Sequence, residues 1–419
     1  MFIDFNIKNF RSFYEQQTFS LMKSKGDEHA DNTFSIGENS DVGLLKTAAI
    51  YGANASGKSN FLNALFTMQR MVTGRYQRGD KLPVVPFKLN PDALTQPTEF
   101  EITFIVNKVR YQYGFSASAT QIYDEWLFAY PKGHPQKWFE RLWNEEKKSY
   151  DWKFSSFLLG SKQVWLQSTR ENALFLATAV QLNSEQLKPV FDWFNETLLF
   201  ADPSGFTPAF TAKLCMDNNK EDVLRLLKTA DFHIADIKIE TTEFNTAELP
   251  ADMPEALKDF FTQELKGEKR LNLEMIHKDN DGNSISFNFH EESDGTQKFF
   301  AFAGPILDVL RNGYVLCIDE LNVNLHPKLV RFLVELFHRQ ETNPKNAQLI
   351  FTTHETSILT QDIFRRDQIW FCERSQSQSS VLYPLSDFSP KKGKENLELG
   401  YLSGRYGALP FIGTFSGVK

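Results

Sequence analysis

The chain has 419 residues, room for one large or two ordinary domains, and at 41% hydrophobic and 24% charged it has an ordinary soluble globular composition. A net charge of −7 argues against a surface that grips DNA throughout, so any nucleic-acid contact would be local or supplied by a partner. No apolar run reaches the roughly 18 residues of a membrane span. The opening "MFIDFNIKNFRSF" lacks the basic and apolar regions of a signal peptide, and the three cysteines (Cys215, Cys317, Cys372) are odd in number and scattered. These features predict a cytoplasmic protein without disulfides or a cysteine zinc site, and the 39 Phe residues predict a large aromatic core.

In chain order, the N-terminal segment reads as an edge strand that begins the fold. "LLKTAAIYG" (Leu44 to Gly52) reads as a buried strand entering a glycine turn, and "SNFLNALFTMQRMV" (Ser59 to Val72) as the helix after it. Alternation of period two over Thr98 to Pro131 predicts an antiparallel meander, with "QKWFERLW" as one more strand. The acids of "YDEW" (Tyr123 to Trp126) read as a solvated turn. From Phe154 to Asn283 the spacing is mostly helical, including an amphipathic "ADMPEALKDFFTQELK", and the Trp and Phe residues from Phe154 to Phe200 read as core rather than as base-stacking platforms. "SISFNFH", "YVLCID" and "AQLIFTTH" return to strand, each followed by a helix or a turn, and "QIWFCER" and "SVLYPLSDF" are late strands. Apolar strands each followed by a helix predict an α/β core. The expected divisions are 1–150, an inserted mainly helical lobe over 151–283, and 284–419.

Four segments carry chemistry. Gly52-Ala-Asn-Ala-Ser-Gly-Lys-Ser59 fits G-x-x-x-x-G-K-[ST] without mismatch. Gly52 and Gly57 let the backbone curl so that its N–H groups face phosphates, Lys58 offers an ammonium to them, and Ser59 offers a hydroxyl to Mg²⁺. In "VLCIDE" an apolar strand delivers Asp319 and Glu320 to the carboxyl edge of a sheet, Asp319 to hold Mg²⁺ and Glu320 to act as general base. "LIFTTH" delivers His354 to the same edge, where it could hydrogen-bond the γ-phosphate or simply be exposed. "ESDGTQKFF" places Ser293 and Gly295 at a helix start, either a second phosphate cradle or an ordinary Ser or Asp cap.

Phosphate loop, Ser-x-Gly helix start, acid pair and His, in that order, resemble the ABC-type ATPases, and in particular the branch that includes SMC, Rad50 and RecF proteins. "NFRSF" resembles that branch's opening strand, whose Arg (Arg11 in this chain) reaches the phosphates, and Asn54 inside the loop is usual there. The resemblance implies an ABC-type ATPase head, with a mixed sheet, helices and an antiparallel β-subdomain, interrupted by the helical lobe. It implies ATP and Mg²⁺ as cofactors, and a signature segment that works in trans, so hydrolysis needs at least a head-to-tail homodimer.

The pattern also departs from the family's. Glu292 to Thr296 stand in place of L-S-G-G-Q, keeping only the Ser and second Gly, and His326 stands where transporter-type ATPases carry an Asp. "LHP" after the acid pair is similar to ATPases of the OLD and abortive-infection group. "GRYGALPFI" and "ENALFLATAVQLN" are similar to stand-alone ATPase subunits of PARIS-type and AbiL-type phage-defence pairs. OLD-type proteins carry a Toprim nuclease after the ATPase, but only 65 residues follow His354 and they hold no D-x-D. The resemblance therefore implies a sensor or scaffold controlling a separate Toprim-like nuclease, answering a phage-encoded trigger. A RecF-like clamp on duplex DNA and a nucleotide-locked structural protein are the alternatives.

Overall fold

The computed structural model describes residues 1–37, 42–201, 205–243, 269–410 and 413. The amphipathic stretch over 251–266 and the last part of "GRYGALPFI" lie outside them. In chain order the elements begin with β1 (Phe2–Lys8), β2 (Gln17–Ser20), β3 (Thr33–Ser35), β4 (Gly43–Leu45), β5 (Thr47–Tyr51) and α1 (Lys58–Thr73). Five strands follow: β6 (Thr98–Val106), β7 (Val109–Ala117), β8 (Ile122–Tyr130), β9 (Gln136–Asn144) and β10 (Ser149–Phe154). Then come α2 (Lys162–Ser168), α3 (Phe175–Gln181), α4 (Lys188–Asp192), β11 (Leu198–Ala201), α5 (Pro208–Leu214), α6 (Lys220–Thr229), β12 (Asp236–Glu243), β13 (Lys269–Lys278) and β14 (Ser284–Asn288). The chain continues with α7 (Asp294–Asn312), β15 (Val315–Ile318), α8 (Pro327–His338), β16 (Gln348–Thr352), β17 (Ile369–Arg374), β18 (Ser380–Pro384) and α9 (Leu397–Leu402).

The chain divides into two compact units: Met1–Pro203 with Val309–Val323 and Val330–Lys419, and Ser204–Asp308 with Asn324–Leu329. These divisions differ from those expected at 151 and 283. Residues 151–203 go with the first unit because their apolar side chains complete its core: Trp193 stacks on Phe104 of β6 with centroids 4.1 Å apart. The stretch is also less helical than its spacing predicts. Its helices are short, and β11 leaves them to pair in parallel with β15.

The first unit holds two large sheets. The six-stranded one has the order β11-β15-β16-β5-β17-β18, parallel from β11 to β17 and closed by antiparallel β18. Its central strands are continuous apolar runs because both faces are covered. The seven-stranded antiparallel sheet has the order β10-β9-β8-β7-β6-β1-β2. The expectation that the N-terminal strand is an edge is corrected here: β1 lies between β6 and β2, hydrogen-bonded on both sides, and β2 takes the edge. One core runs through both sheets. Phe61 of α1 meets Phe5 and Phe19, Phe19 meets Trp370 of β17, and Phe5 stacks on Phe100. Each fully buried ring of this kind contributes about 1.5–3 kcal/mol, which explains why the chain carries so much Phe.

The "YDEW" reading is also corrected. Asp124 and Glu125 sit within β8, where Asp124 accepts the Ser116 hydroxyl at 2.7 Å. Glu125 is fully buried and faces Arg141 across the β8–β9 ladder, because alternation along β8 turns residues 125, 127 and 129 inward. Its carboxylate accepts the N–H groups of Phe175 and Leu176 at 2.6 and 3.0 Å, satisfying the start of α3, and the Tyr113 hydroxyl at 3.0 Å.

At the opposite end of the parallel sheet from the carboxyl edge lies a buried polar cluster. Lys46, between β4 and β5, donates to the His338 carbonyl at 2.9 Å. Gln368 donates to Thr47 Oγ1 at 2.6 Å and to the Thr47 carbonyl at 3.1 Å, and Thr47 Oγ1 lies 2.8 Å from His338 Nε2. Burial, with Lys46 and His29 adding to it, brings the His338 pKa down to about 3. The unfolded chain takes up this proton below about pH 6.5 and the folded chain does not, so the contribution is present above pH 6.5 and is lost as pH falls. Wild type is expected to lose about 1 kcal/mol more than His338→Gln between neutral pH and about one unit below the ordinary His pKa. Urea midpoints at the two pH values measure this, and equal losses in both proteins would remove His338 as the cause.

The second unit carries the antiparallel sheet β12-β13-β14 with α5, α6 and the start of α7. Phe232 packs on Phe299, and Phe289 on Phe300. Among the described residues no helix is long and apolar enough to cross a membrane.

Candidate nucleotide site

β5 ends at Tyr51 and α1 begins at Lys58, so residues 52–57 turn the chain through a tight loop. Gly52 and Gly57 adopt φ of 156° and 120°, and Ala55 one of 61°. The glycines are required by space as well as by backbone. A Cβ on Gly52 would lie 2.2 Å from the Cys372 carbonyl oxygen, and one on Gly57 would lie 2.2 Å from Ser380 Oγ. Lys58 closes the loop on itself, its Nζ donating to the carbonyls of Gly52 and Ala53 at 2.8 and 3.0 Å. Its side chain is buried, which lowers its pKa, against the opposing pull of Asp319 and Glu320. Asn54 is exposed at the crest of the loop, and Ser59 is half-buried at the first turn of α1.

Strand order brings the other motifs to this loop. β16 lies beside β5, and β15 beside β16, all parallel, so their carboxyl ends share one edge. Thr352 at the end of β16 holds the acid pair: its Oγ1 donates to Asp319 Oδ1 at 2.6 Å and accepts the Glu320 N–H at 2.7 Å. Glu320 takes a left-handed conformation, φ 52°. Asn322 Oδ1 accepts from Thr353 Oγ1 at 3.0 Å and from the His354 N–H at 3.1 Å, tying the segment after β15 to the segment after β16. The His354 side chain is exposed, yet partial desolvation and then the Lys58 ammonium lower its pKa, with Glu320 and Asp319 opposing. Lys58, Asp319, Glu320 and His354 thus share one field.

Arg11 also comes to this region. It has φ 49°, donates its N–H to Val85, and lines a cavity of about 300 Å³ together with Ser12, Asn60, Lys88 and Arg374. Ser293 and Gly295 belong to the second unit. There Ser293 acts as the cap of α7, its Oγ accepting the Thr296 N–H at 3.2 Å, and a Cβ on Gly295 would meet the Asn324 carbonyl at 3.1 Å.

Several residues that hold the site carry no signal in the sequence. Arg374 of β17 donates to the Ala55 carbonyl at 3.0 Å, and Ser380 Oγ donates to the Ser56 carbonyl at 2.5 Å. These contacts span 319 and 324 positions. Thr352 and Asn322 lie beside the acid pair and His354 in sequence, and only side-chain geometry gives them roles.

The residues present fit a nucleotide triphosphate and Mg²⁺. The loop is a cradle from which a Cβ is excluded at both glycines, and Ser56 Oγ inside it is buried without a partner. A hydroxyl and a carboxylate, Ser59 and Asp319, suit an ion that keeps several waters and takes most of its protein charge from one or two side chains.

A phosphate loop and an acid pair at one edge of a parallel sheet make this an ATPase-type domain. The chain belongs to the family described as "AAA domain, putative AbiEii toxin, Type IV TA system", whose model matches residues 48–360. Among solved structures it is similar to the SMC head domain from Thermotoga maritima, at 11% identity over 91% of this chain and 98% of that one, with a TM-score of 0.40. It is similar as well to an SMC head bound to the C-winged helix domain of ScpA, at 14% identity over 91% and 97% with a TM-score of 0.38. A third is cbiO1 from Clostridium perfringens, part of the ABC transporter complex cbiONQ, at 11% identity over 91% and 94% with a TM-score of 0.27. No curated protein matches the sequence.

Proposed function

We propose that this chain binds and hydrolyses ATP as the sensor or scaffold subunit of an abortive-infection, anti-phage defence system. The observation that supports the ATPase reading best is the adjacency β5–β16–β15, which gathers Lys58, Asp319, Glu320 and His354 at one sheet edge. ATP supplies the phosphoanhydride. The loop N–H groups and Lys58 bind its phosphates, with Arg11 and Asn54 beside them, and Ser59 and Asp319 hold Mg²⁺. Glu320 takes the proton of the attacking water, and His354 donates to the terminal phosphate. Ser293 and Gly295 of a second copy close over the nucleotide, so turnover requires a head-to-tail dimer or a larger ring. The defence role is supported by the family description, which names an abortive-infection toxin and a toxin–antitoxin system. The partner is a separate Toprim-like nuclease, retained or released when ATP closes the assembly, and the trigger is a phage-encoded protein.

Light scattering of the wild-type chain with ATP and Mg²⁺, beside Lys58→Ala, tests the switch, together with the proteins that co-purify from the native cell. An ATP-dependent assembly absent in Lys58→Ala, carrying a nuclease, is expected. A chain that stays monomeric with ATP, or closes only on duplex DNA, would overturn it in favour of a repair clamp.

A further inference from the structure

We propose that the first unit holds a second ligand site, for a nucleoside phosphate, in the cavity walled by the β9–β10 hairpin, the β7–β8 turn, the loop after α1 and the segment after α2. Its volume is about 800 Å³, within the range of small-molecule sites of roughly 300–1,000 Å³. None of its lining belongs to the phosphate loop or the acid pair. α1, which starts at that loop, is 16 residues long and separates the two sites by about 24 Å of helix.

Two features set the ligand's chemistry. The first is aromatic. Trp143, Tyr150 and Trp152 line the cavity half-buried, and Trp143 and Tyr150 stand outside the hydrophobic core. Tyr150 is fixed as a platform: its hydroxyl donates to the Ile122 carbonyl at 2.7 Å, and the buried Arg141 guanidinium lies 3.9 Å from its ring centroid. Trp143 packs against it with centroids 4.9 Å apart at 63°. Rigid rings at a cavity wall stack any flat base without losing conformational freedom.

The second feature is cationic. Arg78 makes no ion pair among the described residues, and Arg170 spends one N–H on the Tyr76 carbonyl at 3.1 Å. Asn172 pins the loop that carries Arg78, donating to the carbonyls of Gln77 and Asp80 at 2.7 and 3.1 Å. Asp80 is turned back on its own loop, accepting the Gln77 N–H at 2.7 Å. Two guanidinium groups on pinned segments of one cavity supply the forked donors that phosphate oxygens accept. Aromatic faces beside two guanidiniums and Lys148, against the single further acid Glu171, select a ligand that is flat at one end and anionic at the other. A cavity walled by four short segments, the β7–β8 turn at Thr120 among them, favours a free nucleotide over a long strand.

The site is tested on the full chain carrying Lys58→Ala, which removes binding at the phosphate loop and so separates this proposal from the ATPase reading. The four ribonucleoside 5′-monophosphates are titrated separately by calorimetry and tryptophan fluorescence. At least one is expected to bind once per chain with a Kd below about 1 mM, and to quench fluorescence. Arg78→Ala and Trp143→Leu should each weaken it about tenfold or more, as should removal of the phosphate from the ligand. Arg78 is exposed, so its substitution leaves the fold intact. Absence of binding by all four, or binding indifferent to both substitutions, would overturn the site. Tighter binding of a short single strand than of any monophosphate would overturn it in favour of a nucleic-acid surface.

Discussion

Glu320→Gln is expected to reduce ATP hydrolysis by about 10²–10⁴-fold, the usual contribution of a positioned general base, while leaving ATP binding intact. The geometry explains why the effect should be confined to chemistry. The Glu320 backbone is held in its left-handed turn by the bond from its N–H to Thr352 Oγ1, and Val323 N–H closes the turn onto the Glu320 carbonyl at 3.0 Å. Neither bond uses the carboxylate. Gln keeps the shape, loses the basic oxygen, and relieves one negative charge beside Asp319. The variant should therefore accumulate in the ATP-bound assembly that wild type passes through. Phosphate release in single turnover and mass in solution give the two readings. Unchanged hydrolysis would place the base elsewhere. Lost hydrolysis without a larger assembly would separate the ATPase from the proposed switch.

Glu125→Ala is expected to have the largest effect on stability, about 3–5 kcal/mol, because it leaves a buried charge uncompensated. Glu125 and Arg141 both have fully buried side chains, 3.8 Å apart at the nearest oxygen and nitrogen. Burial pushes the Glu125 carboxyl above its ordinary range even though Arg141, two backbone N–H groups and the Tyr113 hydroxyl all favour the charged form. Arg141 would keep the carbonyls of Ala173 and Arg170 and the faces of Tyr150 and Trp152, but no counter-charge, with its Nε already without a partner. The first turn of α3 would lose the acceptor of two N–H groups as well. Urea denaturation measures the change. A loss under about 1 kcal/mol, the scale of an exposed pair, would mean that water or a rearranged Arg141 replaces the carboxylate.

These two residues mark the two ends of what can be read from the chain. Glu320 was legible because its surroundings are local: four apolar residues followed by two acids state a buried strand reaching a sheet edge. The phosphate loop was legible for the same reason, since eight contiguous residues supply its glycines, its ammonium and its hydroxyl. Glu125 was not legible. Its role depends on Arg141 opposite it in the ladder, on the start of α3 fifty positions later, and on a register that turns it inward. An acid inside an alternating strand reads as solvent-facing unless its partner is known.

The sequence by itself thus determined the loop and the acid pair on which the proposed nucleotide chemistry rests, because backbone curvature, helix start and charge are set by neighbours along the chain. The apolar runs of β5, β15 and β16 likewise set an α/β core. Tertiary structure alone decided that β16 lies between β5 and β15, which brings His354 and Thr352 between Lys58 and Glu320. It decided that β2 covers β1, that β11 joins the parallel sheet, and that Arg374 and Ser380 brace a loop more than three hundred positions away. The physical reason is the same in each case. Strand order and the packing of distant side chains are fixed by which faces must be buried together, and that is a property of the whole core.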